Sequence, residues 1–363
     1  MLERTAQISN FERGDIFVIN GRAAGIGRYF WSENITFDHL TAYACPGALF
    51  VGSQTSQLNV LNCKGLLKAG RFITSGGDGV HCQSARIGPW IEHCEFEGLS
   101  DDCLNVYSVP TYILEKISPT EMKIRARVPF APGDSLAFFS PKTGKVQETT
   151  VVSFSENRLT VSDPIGKLNL APEGTRLDLR GWKIYDHIYN VSCIGNGFVC
   201  RDNFMHDGRR FGGFIKASYG LIENNRFEGL SGSALRVANE PDWPEGFWAH
   251  NLIIQNNTVS DCGYSKTVVP VVIRGEKIKG LLPPPFHRNI FLVGNEIEAI
   301  SGPAASFSGI ENLIMKDNRF SNEDRTKPLI KLQRSKNVIV EDNRGANHME
   351  ISNMDAEEVH TQR

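Results

Sequence analysis

The chain has 363 residues, a formal net charge of −2, 22% charged residues and 40% hydrophobic ones. So balanced a charge sets up no basic field for nucleic acid or anionic lipid, and no run approaches the roughly 18 apolar residues of a membrane span. The 34 glycines and the evident richness in asparagine suit a fold of many tight turns, since both residues tolerate positive φ.

One pattern recurs along the chain: a short apolar run, then Asn or Cys, then another apolar residue. Early copies are Asn34-Ile35-Thr36-Phe37-Asp38-His39-Leu40, Leu58-Asn59-Val60-Leu61-Asn62-Cys63 and Trp90-Ile91-Glu92-His93-Cys94-Glu95-Phe96. Later ones are Phe198 to Phe204, Leu221 to Phe227, Leu252 to Val259, Ile290 to Ile297, Leu313 to Phe320 and Val338 to Asn343. Equivalent positions lie 22 residues apart from Asn203 to Asn225, 23 from Asn295 to Asn318 and 25 from Asn318 to Asn343. A period in the low twenties with strand-like alternation matches one coil of a parallel β-helix. An inward Asn at each turn can then stack on its neighbour and satisfy turn backbone groups. The leucine framework of leucine-rich repeats, which share the period, is absent. The eight cysteines form no C-x-x-C pair and several fall on repeat positions, so they read as small core residues, with neither zinc nor disulfides expected.

Between Tyr112 and about residue 182 the repeat stops. Met122-Lys123-Ile124-Arg125-Ala126-Arg127-Val128 and Leu159-Thr160-Val161 alternate differently, and Pro132-Gly133-Asp134, Lys142-Thr143-Gly144-Lys145 and Pro172-Glu173-Gly174 read as turns. The expectation is an all-β chain: a right-handed parallel β-helix over 1–111 and 183–344, with a small antiparallel β-barrel inserted at 112–182. The coil should resume near Tyr189, and 345–363 should form a polar, frayed tail. The first coil is expected near Gly14-Asp15-Ile16-Phe17-Val18. That leaves an open helix end to be covered by further N-terminal coils or by a second copy in a homo-oligomer. Met1-Leu2-Glu3-Arg4-Thr5 does not read as a secretory signal, and the compartment stays open.

The most informative stretch is Gly76-Gly77-Asp78-Gly79-Val80-His81 followed by Leu99-Ser100-Asp101-Asp102-Cys103-Leu104-Asn105-Val106. Asp78 and Asp101 are 23 residues apart, close to one coil. Adjacent coils lie about 4.8 Å apart, so Asp78 should sit beside the Asp101-Asp102 pair. Carboxylates brought together raise at least one pKa and keep a proton available, a workable general acid beside general bases. Each Asp alone also reads as a solvated turn residue, and the cluster also reads as a Ca²⁺ site.

These segments resemble glycoside hydrolase family 110 in the Asp-Gly-Val-His run, the one-coil spacing and Asp-Asp-Cys-Leu-Asn-Val, over about Gly14 to Tyr264. The resemblance implies an inverting α-galactosidase acting on terminal α-1,3-linked galactose, including blood-group B-type structures. It also implies a barrel inserted directly after the paired aspartates, no cofactor or metal, and a secreted or periplasmic setting. By motif, Asp78, Asp101 and Asp102 become the catalytic carboxylates, with one of the pair as acid and Asp78 helping to hold the water. Acid and base should then stand about 6.5–9.5 Å apart. His81 and Asn105 are candidate hydroxyl-binding neighbours, Asn105 equally a buried turn residue. The family often continues Asn-Val-His-Gly, whereas Asn105-Val106 is followed here by Tyr107-Ser108; Tyr107 can stack on a sugar but cannot titrate like imidazole.

A second cluster, Arg236, Glu240, Asp242, Trp243, Glu245 and Trp248, looks like the family's Trp-and-Glu-bearing loop, with Arg236, Trp243 and Glu245 as substrate-binding candidates. It reads equally as an aromatic clamp on the coil. Arg209-Arg210 reads as a solvated basic turn in preference to an anionic-sugar site, and Pro283-Pro284-Pro285 as structural. A polygalacturonase-like hydrolase also spreads three aspartates over neighbouring coils, but its later Gly-His-Gly and Arg-Ile-Lys signatures are missing after Asp102. A Ca²⁺-dependent lyase or epimerase needs basic residues near the acids, and none adjoins them in sequence. A noncatalytic glycan-binding β-helix is the reading from a different class. The expected partner is a glycan, not nucleic acid or membrane.

Overall fold

The computed structural model describes residues 23, 25–172, 183–264, 268–283, 285–324, 326–354 and 358–362. The first coil expected near Gly14–Val18, the Glu173-Gly174 part of one turn and Pro284 lie outside these residues. The repeat folds as expected, into a right-handed parallel β-helix. Its strands stack into three parallel sheets of ten, ten and eight strands among the described residues. Among the described residues, every motif copy but the last supplies one strand to the second sheet and one to the third, as Trp90–Glu92 and Glu95–Glu97 do, and the copy from Val338 to Asn343 adds only to the second. Among the described residues no helix is long and apolar enough to cross a membrane.

The turn inside the motif explains the sequence pattern. Asn62, His93, Asp202, Asn224, Asn256, Asp317 and Asp342 all adopt left-handed backbone, with φ between 51° and 55°. Asn and Asp tolerate that region better than other residues with side chains. The next residue points inward: Cys63, Cys94, Asn203, Asn225, Asn257, Asn318 and Asn343. From Asn203 onward these form a ladder, in which Asn225 Oδ1 accepts from Asn203 N–H (3.1 Å) and from Asn203 Nδ2 (2.9 Å). The same pairing repeats at Asn257, Asn295, Asn318 and Asn343. Each coil therefore satisfies the turn amide of its neighbour. Between the sheets lie fully buried Leu58, Val60, Ile91, Phe96, Phe227, Leu252, Leu292 and Leu313. All eight cysteines are free and buried, as small core residues.

Six antiparallel strands close a barrel: Thr111–Lys116, Glu121–Arg125, Ser135–Phe139, Val146–Ser155, Arg158–Val161 and His187–Asn190. It has its own core, built on Ile113, Met122, Ile124, Leu136, Phe138 and Leu159. The last strand lies beyond the expected boundary at 182. Tyr189 belongs to the barrel, where it pairs with Ala137, and the coil resumes only at Val199–Arg201. The apolar alternation of His187-Ile188-Tyr189-Asn190 serves a barrel strand as well as a coil, and only pairing separates the two.

The expected tail is also corrected. Met349–Ser352 pairs with Ile330–Gln333, and Val359–Gln362 pairs with Lys336–Glu341, adding strands to two sheets. Met349, Met354 and Val359 of this segment pack on the core.

Candidate active site

Register, more than spacing, assembles the site. Leu104–Tyr107 pairs with Val80–Gln83 so that Leu104 lies against Val80 and Asn105 against His81. Extending that offset back sets Asp102, not Asp101, against Asp78. Asp102 N–H donates to Asp78 Oδ1 (3.2 Å), and Gly79 N–H donates to the Asp102 carbonyl (2.9 Å). Glycine is required at 79, where a Cβ would come within 2.6 Å of the Cys103 carbonyl oxygen. Asp78, Asp101 and Asp102 are all buried. One oxygen from each lies within 4.8 Å of the others. Their nearest oxygens thus approach closer than the about 6.5–9.5 Å between the carboxyl groups of an inverting acid–base pair.

The three carboxylates line a cavity of about 550 Å³ with His81, Asn105, Tyr107, Arg210, Phe214, Glu240, Trp243 and Glu245. Burial, reinforced by the Asp78 charge and partly offset by Arg210, pushes the Asp102 carboxyl well above the usual carboxylate range. His81 Nδ1 is bonded to Asp78 Oδ2. Burial works against a charged imidazole there, but the Asp78 hydrogen bond and the Asp78 and Glu245 charges leave the His81 pKa raised. Tyr107 Oη meets His81 Nε2 at 3.0 Å and donates to Gln83 Oε1 (3.2 Å). Burial, then Glu245 and Asp78, keep the phenol far above its usual pKa, so it stays protonated. Tyr107 thus ends a chain running Asp78–His81–Tyr107–Gln83. It lines the cavity as a hydrogen-bonding group.

Arg210 is not a solvated basic turn. Its guanidinium lies 3.3 Å from Asp101 Oδ1 and 3.6 Å from Asp102 Oδ1, while Arg209 Nε donates to the Ser100 carbonyl. A basic group therefore does adjoin the acids, brought by the next coil. One oxygen from each aspartate is close enough to the others to share a divalent cation, with which Arg210 would compete for Asp101 and Asp102.

Arg236 is not brought to the cavity. The row runs Val51, His81, Asn105, Phe214, Arg236 over successive coils. Phe214 intervenes, with the Arg236 guanidinium 5.4 Å from its ring centre and bonded to Glu276 (2.6 Å). The 240–245 loop does reach the site. Glu240 N–H donates to the Glu245 carbonyl (2.7 Å), and Ser108 N–H donates to the Gly246 carbonyl (2.6 Å), which pins the loop beside Tyr107. Trp243 lies at the mouth, 55% exposed. Asp242 faces away to Lys183 (2.9 Å), and Trp248 packs with Phe247, His250 and Phe286, with the barrel behind.

One group had no local sequence signal. Lys216, 0% exposed, donates to Asn105 Oδ1 (2.9 Å) and Glu245 Oε2 (2.7 Å) behind the cavity wall. Glu240, raised by burial despite the nearby Lys216, stands on the loop side of the cavity.

No protein-family model matches the chain. It is similar to alpha-1,3-galactosidase B of Akkermansia muciniphila, 23% identical over 299 residues, covering 76% of this chain and 36% of that protein. Alpha-1,3-galactosidase A of Bacteroides fragilis strain YCH46 is 23% identical over 297 residues, 79% of this chain and 48% of that protein. Among solved structures, tailspike protein 3 of bacteriophage CBA120 is similar at a TM-score of 0.37 and 10% identity, over 91% of this chain and 42% of that one. The chain spans about a third to a half of the length of these curated relatives. It is a divergent sequence relative of the α-1,3-galactosidases, as its motifs suggested.

Proposed function

We propose that the chain carries the catalytic site of a glycoside hydrolase for terminal α-linked galactose, with α-1,3-linkage as the first candidate. The observation that carries the reading is the meeting of Asp78, Asp101 and Asp102 in one buried cluster, on the floor of a sugar-sized cavity with Trp243 at its mouth. The similarity to α-1,3-galactosidases supports the choice of sugar. Asp102, whose carboxyl holds its proton, is the general acid toward the glycosidic oxygen. Asp78, bonded to His81, and Asp101, beside Arg210, orient and activate water. The cation at Arg210 limits repulsion between the carboxylates without neutralising all three.

The reading includes inversion at the anomeric carbon. The close approach of the carboxylates favours a second reading, retention through a glycosyl-enzyme, for which about 5–5.5 Å is typical. Proton NMR of a digest of a terminal α-galactoside, followed from the first turnover, distinguishes them. β-Galactose appearing first supports inversion, α-galactose first supports retention, and no turnover by folded protein removes the galactosidase reading.

A further inference from the structure

We infer that Lys216 is a positioning residue that holds Asn105 and Glu245 as a clamp for substrate hydroxyls, on the wall of the cavity that carries the aspartates; this rests on the sugar-processing reading above. Lys216 follows the strand Gly213–Ile215, and its own N–H donates to the Val106 carbonyl (2.9 Å). The ammonium is fully enclosed. One N–H reaches Asn105 Oδ1 and one reaches Glu245 Oε2. The remaining one faces the Phe214 ring, whose centre is 3.2 Å from Nζ. With all three donors engaged and the side chain absent from the cavity lining, Lys216 does not touch substrate.

What it touches does line the cavity. Asn105 comes from the coil of Asp101 and Asp102, and Glu245 from the loop that ends at Gly246. Asn105 Nδ2 also donates to Glu245 Oε2 (3.4 Å), so one carboxylate oxygen is committed to the protein. Glu245 Oε1 has no hydrogen-bond partner among the described residues. A carboxylate with one oxygen anchored and one open is a strong acceptor for a sugar hydroxyl. A charge buried this deeply is costly unless its partners are fixed, and here the fixed partners are the two groups that face the ligand. The lysine thereby couples three segments, one before the barrel and two after it, into one recognition surface.

The test compares parent and Lys216→Met for binding of galactose and its 2-, 3-, 4- and 6-deoxy forms by calorimetry, with circular dichroism to check folding. Turnover of an aryl α-galactoside is measured in parallel. In the parent, at least one deoxy sugar binds about 10-fold or more weakly, as expected for loss of a hydrogen bond to a charged acceptor. In Lys216→Met, galactose itself binds about that much more weakly, and the same deoxy form costs nothing further. KM rises more than kcat falls. Should Lys216→Met fail to fold, Lys216→Gln, which keeps an N–H donor but not the charge and leaves Glu245 in place, reads the same loss of discrimination. A folded variant that keeps the parent's deoxy pattern overturns the clamp, as does a parent that discriminates none of the four. A parent that binds with discrimination but turns over no galactoside sinks the hydrolase reading and leaves the clamp standing.

Discussion

Asn203 sews the coil that carries Asp101 and Asp102 to the first coil after the barrel, so its removal tests whether the ladder sets the architecture. Its Oδ1 accepts from Cys94 N–H (2.9 Å), across 109 residues of chain. Its Nδ2 donates to the Ile91 carbonyl (3.1 Å) and to Asn225 Oδ1 (2.9 Å). Asn203→Ala deletes all three bonds in a site 3% exposed, and strands the Cys94 amide. A stranded buried donor costs about 1–3 kcal/mol, and each of the other bonds about 0.5–1.5 kcal/mol. The sum is about 2–6 kcal/mol, a large share of the roughly 5–15 kcal/mol that stabilises an ordinary domain. Urea unfolding followed by circular dichroism measures it, at constant m. The control is Asn59→Ala, a half-buried Asn whose Nδ2 makes a solvent-exposed bond to Thr36 Oγ1 (3.1 Å), with an expected loss below about 1 kcal/mol. Equal losses for the two variants would refute the ladder argument.

Other outcomes follow from the site and the core. Asp102→Asn should slow hydrolysis of an unactivated α-galactoside by about 10²–10⁴-fold, and much less for a dinitrophenyl leaving group that needs no proton; equal losses on both substrates would deny Asp102 the acid role. Arg210→Met removes the cation that opposes the rise in the Asp102 pKa, so the alkaline limb of the pH–rate profile should move upward, and an unmoved or lowered limb counts against the assignment. Activity should survive EDTA, because Arg210 already supplies the positive charge at Asp101 and Asp102; loss with EDTA and recovery with Ca²⁺ would favour the cation-dependent class. His187 and His287 are fully buried, and burial lowers each pKa from 6.5 to about 4. Below pH 6.5 the unfolded chain takes up protons that the folded chain refuses. Their stabilisation is complete above that pH and is lost progressively as pH falls to about 4, on the order of 3 kcal/mol each. Thermal midpoints at pH 7, 5.5 and 4.5 should therefore fall, and a flat series would contradict the buried neutral state.

The sequence by itself determined the coil. A left-handed residue followed by an inward Asn or Cys is a local requirement of the turn, and its recurrence is visible without knowing what it stacks on. The clustering of Asp78 with Asp101 and Asp102 was legible for the same reason, since one coil of separation translates directly into one strand spacing. Local pattern could not say which of the pair lies against Asp78, because 23 and 24 residues are both close to a coil and only strand register chooses Asp102. Nor could it reveal Arg210 and Lys216, which reach the site from beyond an insertion that separates Asn105 from Lys216 by 111 residues. Arg236 shows the converse: it occupies the right row of the sheet, but Phe214 stands between it and the cavity. The repeat carries information along the chain, whereas neighbours across the barrel are set by pairing and packing, and those are decided only when the coils stack.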